Sequence, residues 1–131
     1  QAIANDGVQM KPTLVSKVRS SSLSTLYDFK AQQLRRSTTA PVAQQIKEWM
    51  VNDVDDGIAS GAKVPGVEVA GKTGTAETGQ DGLNDAWFTG FAPADDPQVA
   101  VAIVYEDVDA TTGAQLTSPG AQKIFEAVLD K

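Results

Sequence analysis

The chain has 131 residues, 41% of them hydrophobic, a net charge of −6, and neither histidine nor cysteine. It is long enough to bury a core as one domain or part of one, but disulfide and thiol chemistry are excluded, and the commonest general base and metal ligand are missing. The acidic balance, with Asp95, Asp96, Glu106, Asp107 and Asp109 late in the chain, argues against nucleic acid or anionic lipid as a partner. No apolar run approaches the roughly 18 to 20 residues of a bilayer span. The chain opens with Gln1 inside a helix-like stretch, so it is expected to be a fragment.

In chain order, Ala2 to Asn5 reads as a helical remnant closed by a left-handed cap at Gly7. Val8 to Val18 reads as extended, with Pro12 assigning it to an edge or a crossing segment. Ser20 to Thr25 has loop composition, and Leu26 to Arg36 is strand-like around Tyr27 and Phe29 without an assignable neighbour. Thr39 is placed to cap a helix with Pro41 in its first turn. Val42, Ile46, Trp49, Met50 and Val54 fall on one face of that helix, which predicts a buried stripe including Trp49 and ends at Gly57. Asp53-Val54-Asp55-Asp56-Gly57 suggests a calcium loop, but the ligand spacing is wrong and no glutamate closes twelve residues.

The chain is organised around Val67-Glu68-Val69-Ala70-Gly71-Lys72-Thr73-Gly74-Thr75-Ala76-Glu77. Val67 and Val69 alternate as in a half-buried strand, and Pro65-Gly66 supplies a turn before it. Lys72 and Gly74 then project to one side and Thr73 and Thr75 to the other, so a ligand serving all four must lie along the strand's edge. Gly66 to Thr73 also matches a phosphate-loop pattern, but that loop must open a helix. Gly74, Gly79 and Gly82 follow instead, and the reading is rejected. A polar connection, Thr78 to Asp85, leads to a strand at Ala86 to Phe91. Val99 to Tyr105 is nearly continuously apolar, which predicts cover on both faces. Ser118-Pro119 is expected to start a last helix with Ala121, Ile124, Phe125, Val128 and Leu129 on one face. These elements predict an α+β architecture, an antiparallel meander with helices packed on it.

Lys72-Thr73-Gly74 followed by Thr75-Ala76-Glu77, then Trp87-Phe88-Thr89-Gly90-Phe91-Ala92-Pro93, resembles the Lys-Thr-Gly strand and the next strand of penicillin-binding proteins and serine β-lactamases. Ala2-Ile3-Ala4-Asn5-Asp6-Gly7 with Lys11-Pro12 resembles the segment upstream of that motif in class B penicillin-binding proteins of the A type. The resemblance covers nearly the whole chain. It implies the C-terminal part of one transpeptidase domain over residues 1–131, in the penicillin-binding protein and β-lactamase fold.

Acyl transfer through a serine needs a nucleophile, a base and oxyanion donors. The family's Ser-x-Asn is absent, and its Ser-x-x-Lys occurs only as Ser60-Gly61-Ala62-Lys63 in a turn-rich stretch with no helical face. The resemblance therefore places the nucleophile outside this chain. It implies that Lys72 supplies positive potential and contacts the absent second-motif serine. Thr73 and Thr75 would bind the substrate carboxylate through their hydroxyls, Gly74 would line the site, and the Thr75 backbone N–H would be an oxyanion donor. Glu77 reads as a solvated loop residue and Trp87 as a packing one.

The implied function is peptidoglycan D,D-transpeptidation, with covalent penicillin binding, in an enzyme anchored to the outside of the cytoplasmic membrane through its missing N-terminal part. No metal or cofactor is implied, and the partners are that missing part, the stem peptide and β-lactams. A D,D-carboxypeptidase or serine β-lactamase of the same fold stays open, as does a non-catalytic β-lactam sensor or binding module.

Overall fold

The computed structural model describes residues 1–130. A 3-10 turn, Ile3–Asn5, opens the chain, and Asp6 and Gly7 end it with φ of +47° and +83°. The segment expected to run extended from Val8 to Val18 is two short strands, β1 (Val8–Met10) and β2 (Lys17–Arg19). Pro12 falls in the break between them, as suits a residue with no N–H for a ladder. The serine-rich loop is a hairpin turn. It joins β2 to β3 (Thr25–Asp28) and sets Tyr27 opposite Val18, while β4 (Gln33–Arg36) returns to pair with β1. Leu26 to Arg36 thus has the strand neighbours that its sequence left open.

Helix α1 spans Ala40–Asp55, with Thr39 at the N-cap position and Pro41 in the first turn. The Thr39 side chain makes no capping bond, so the helix start draws on the fixed φ of proline rather than on the expected hydroxyl cap. The buried stripe is also rotated from expectation. Ala43 and Val54 are buried, whereas Trp49 is 62% exposed and Val42 is exposed. The reason is placement: α1 packs chiefly against β5 (Ala70–Glu77) and the short turns beside it, so no sheet face covers the Trp49 side of the helix. A 3-10 turn, Ile58–Ala62, follows α1, so Ser60 lies in a tight turn rather than a loop, with Ser60 and Lys63 both exposed.

The organising strand begins at Ala70 and not at Val67. Val64 and Val67 bridge each other around the Pro65-Gly66 turn, where Gly66 has φ +73°, and Val69 enters the core without a strand partner. β5, β6 (Asn84–Ala92) and β7 (Val99–Val108) then form the expected antiparallel meander in that order, with β5 at the edge and Glu77 as its last residue rather than in the loop.

Directly opposed residues in this sheet share a face. Ala86, Phe88 and Ala92 are buried on one face under α2 (Ala110–Leu129), and Val99, Val101 and Ile103 of β7 are partly buried on the same face. The Phe88 and Phe125 rings meet edge-on, their centroids 6.5 Å apart at 68°. The opposite side of β7, Ala100, Ala102 and Val104, is exposed, so the cover on both faces read from its apolar run is not found among the described residues. Trp87, expected to pack, lies 44% exposed on that same open face.

Helix α2 begins eight residues before the expected Ser118-Pro119 start, and Pro119 lies inside it. Asp109 is the actual cap. Its Oδ1 accepts from the N–H groups of Thr111 and Thr112, each at 3.0 Å, and its Oδ2 from the Thr112 hydroxyl. Two threonines and Gly113, weak helix formers, hid this first half from periodicity.

These bonds, the Thr112 hydroxyl first, hold the Asp109 carboxyl below its ordinary pKa. A depressed folded-state pKa contributes stability above the unfolded value of about 3.9 and loses it as pH falls through the folded value. Asp109→Ala should therefore melt below wild type at pH 7, and the gap should narrow progressively below about pH 4. A gap unchanged by pH in thermal scans would contradict the charged cap.

Candidate active site

Among the described residues β5 has a strand neighbour on one side only, so its outer edge leaves backbone groups without ladder partners. Lys72 lies opposite Thr89 and Gly74 opposite Trp87, which places Lys72 and Gly74 on the open face. Thr73, opposite Phe88, and Thr75, opposite Ala86, lie on the α2 side. This is the division that strand alternation predicts. Lys72 Nζ nevertheless curls back to the strand, donating to the Thr73 carbonyl at 3.0 Å and to the Thr73 hydroxyl at 3.4 Å. Cation and hydroxyl thus meet across the edge. Thr75, Gly74 and Glu77 are exposed.

The register of β5 against β6 fixes where Lys72 stands. Gly71 faces Gly90, and the buried Phe88 ring fills the space beside both: a Cβ on Gly71 would lie 2.6 Å from Phe88 Cζ, and one on Gly90 2.8 Å from Phe88 Cε1. Gly74 is different, since its nearest neighbour for a Cβ would be Trp87 Cβ at 3.5 Å, an ordinary contact.

Lys72 opens onto a cavity of about 740 Å³ lined by both α1 and the sheet, including Trp49, Met50, Asp53, Thr89 and Phe91. Among the described residues, Lys72 and Asp53 are the two charged side chains on its wall. Lys72 Nζ stands 3.3 Å from Asp53 Oδ2, the lysine side chain being 58% and the aspartate 19% exposed. Asp53 Oδ1 accepts from the Ile58 N–H at 3.2 Å, while Oδ2 is buried with no hydrogen-bond partner among the described residues.

Asp53 is the residue that sequence reading missed, having considered it only as a calcium ligand. The available signal was electrostatic. Asp53, Asp55 and Asp56 crowd the C-terminal end of α1, where acids oppose the helix dipole, and such a cluster calls for a compensating cation. Ser60 is not among the described residues that line the cavity.

A cation, short hydroxyls and an unpaired strand edge beside an apolar cavity suit a carboxylate-bearing acyl substrate. The family model described as the penicillin-binding protein transpeptidase domain matches residues 1–130. The chain belongs to this family. The peptidoglycan D,D-transpeptidase PbpA of Mycolicibacterium smegmatis is 39% identical, the match covering 97% of this chain and 27% of the relative. PbpA of Mycobacterium tuberculosis is 38% identical over the same shares. The crystal structure of the D,D-transpeptidase domain of a peptidoglycan glycosyltransferase from Eggerthella lenta superposes with a TM-score of 0.89 at 38% identity, covering 98% of this chain and 30% of that one. The imipenem acyl-enzyme complex of penicillin-binding protein A from M. tuberculosis gives 0.85 at 36% identity, covering 98% and 28%. The chain therefore spans about a quarter of the length of the PbpA relatives it matches. The resemblance read from the motif strand is shown, and with it the α+β transpeptidase fold.

The two glycines of the motif strand should respond oppositely to one methyl group. Gly71→Ala drives a Cβ into the Phe88 ring and toward Val54, and is expected to destabilise by about 1 to 3 kcal/mol. Gly74→Ala should stay within about 0.5 kcal/mol of wild type. Equal losses in chemical denaturation would show that Phe88 does not fix this register.

Proposed function

We propose that this chain is the C-terminal part of a serine D,D-transpeptidase that cross-links peptidoglycan stem peptides and is acylated by β-lactams. The observation that carries the reading is Lys72 and Thr73 converging at the edge of β5, beside a cavity in a family whose relatives include penicillin-binding protein A acyl-enzymes with imipenem and penicillin G. The nucleophilic serine and its base lie on sequence upstream of Gln1. That upstream part docks on the open sheet face, covers Trp49, Trp87 and Val104, and carries the anchor of an enzyme working outside the cytoplasmic membrane.

In acylation the upstream serine attacks the substrate carbonyl, its proton passes to a base, and the carbonyl oxygen becomes an oxyanion. The Thr75 backbone N–H, set on a strand whose partner is already fixed, is one donor to that oxyanion and needs no reorganisation as charge develops. The hydroxyls of Thr73 and Thr75 hold the substrate carboxylate, Gly74 lets the substrate backbone approach, and Lys72 supplies positive potential and reaches the serine of the missing second motif. The oxyanion then collapses, the scissile amide C–N bond breaks, and the leaving amine departs with the proton that the base took from the serine. An amine acceptor next attacks the acyl-enzyme, forming the new amide and returning the serine its proton. Water in its place would give a carboxypeptidase or a β-lactamase.

Two measurements test this. Purified residues 1–131 incubated with fluorescent penicillin should stay unlabelled, and the full-length protein should label at a serine outside them. Labelling at Ser60 would overturn the assignment of roles. In the full-length protein, acylation should fall most for Lys72→Ala and next for Thr75→Ala, with the surface control Lys123→Ala unaffected. Thr75→Ala keeps the backbone donor and loses a hydroxyl bond to a charged group, worth about 1.5 to 3 kcal/mol, or about ten- to a hundred-fold. If Lys72→Ala matches the control, β5 is not the wall of an acyl-transfer site.

A further inference from the structure

Asp53 places its two carboxylate oxygens on different tasks. Oδ1 accepts the Ile58 N–H and closes the turn after α1, while Oδ2 is buried and has the Lys72 ammonium, 3.3 Å away, as its neighbour of opposite charge. A buried carboxylate oxygen without a hydrogen bond is costly, and a native structure that keeps one usually does so for a reason. Lys72 in turn has four rotatable side-chain bonds and a side chain that is 58% exposed, so the strand alone does not determine where its charge sits.

We propose that Asp53 is a positioning residue for Lys72: its carboxylate holds the lysine ammonium at the edge of β5, over Thr73 and at the wall of the cavity shared by α1 and the sheet. Three groups then confine Nζ from two sides, Asp53 Oδ2 from the helix and the Thr73 carbonyl and hydroxyl from the strand. Asp53 is itself held by the Ile58 N–H, so the placement passes from helix to carboxylate to ammonium. Asp53 touches no reacting atom in this scheme and acts only through Lys72. The inference rests on the acyl-transfer reading of the site. A misplacement of about 1 Å in such a site can cost on the order of a hundred-fold in rate, so a group that removes the lysine's freedom affects the chemical step rather than binding.

The test is a double-mutant cycle in the full-length protein, reading the acylation rate constant and the noncovalent dissociation constant for penicillin G separately. Asp53→Asn keeps an oxygen for the Ile58 N–H and removes the charge. It should leave the melting temperature near wild type and the dissociation constant unchanged, while lowering the acylation rate constant about ten-fold, within the range of coupling between touching residues. Asp53→Glu, which keeps the charge, should recover part of that loss. In a Lys72→Ala background, Asp53→Asn should cost nothing further. Equal losses in both backgrounds, or a melting temperature falling in step with the rate and no recovery by Asp53→Glu, would reduce Asp53 to a structural residue and overturn the proposal. Impairment by Lys72→Ala without any by Asp53→Asn would overturn it while leaving the acyl-transfer reading intact. A Lys72→Ala variant as active as wild type would overturn both.

Discussion

The Phe88 ring lying beside the facing glycines Gly71 and Gly90 is the constraint on which the rest of this structure depends. A side chain at either glycine would meet the ring, so the ring's position and the β5–β6 register require each other. The same ring is fully buried against Phe125 of α2 and belongs to the cluster that contains Val54 of α1. One side chain therefore sets both helices relative to the motif strand. Because side chains alternate along a strand, a slip of one residue would turn Lys72 from the open face to the face under α2 and bring Thr73 to the cavity side. Burying an ammonium in that apolar layer without a partner costs far more than any new cross-strand pair could offset. The packing of the core is thus also the positioning of the site.

The sheet is closed on one face and open on the other, and the open face is where the candidate site lies. Lys72, Gly74, Thr89 and Trp87 share it, and Trp49 reaches the same cavity from α1. Both tryptophans of the chain are exposed there, at 62% and 44%. An aromatic residue buries a large apolar area when covered, and exposed apolar surface gathered on one side of a fold marks an interface. The side that would meet a substrate and the side that would receive further polypeptide are then one surface. That suits a cleft formed between two parts of a domain, with the strand edge as one wall.

The motif strand was legible because its signals are local: a cation, two hydroxyls and a glycine at fixed spacing, with alternation deciding which face each takes. The meander was legible for the same reason, since β5, β6 and β7 are joined by short connections. What misled were positions where tertiary placement overrides periodicity. The α1 stripe has helical spacing, yet α1 sits at a sheet edge, so Ala43 is buried and Trp49 is not. The first half of α2 is poor in helix formers and is held by Asp109, a cap seen only once Thr111 and Thr112 are known to donate to it. Asp53 was unreadable as a partner of Lys72 because 19 positions separate them, and only the packing of α1 on β5 brings them together.

Magnitude decides how the Lys72–Asp53 pair should be understood. An ion pair with a half-exposed lysine contributes about 0 to 1 kcal/mol once solvent screening and side-chain entropy are counted. Against this stand a carboxylate near a helix C-terminus, where the dipole disfavours it, and a buried Oδ2 that lacks a hydrogen bond. The opposing terms are as large as the gain, so stability gives no account of why the charge is there. Oδ1 does not supply one either, because capping the Ile58 N–H needs an oxygen and not a charge. The surplus is the negative charge on the cavity wall, and the group it faces is the one cation the motif strand carries. On the acyl-transfer reading proposed above, a pair that contributes little to folding yet confines a side chain with four rotatable bonds acts as part of the site, and α1 is then a wall of the cleft as well as a support for the sheet.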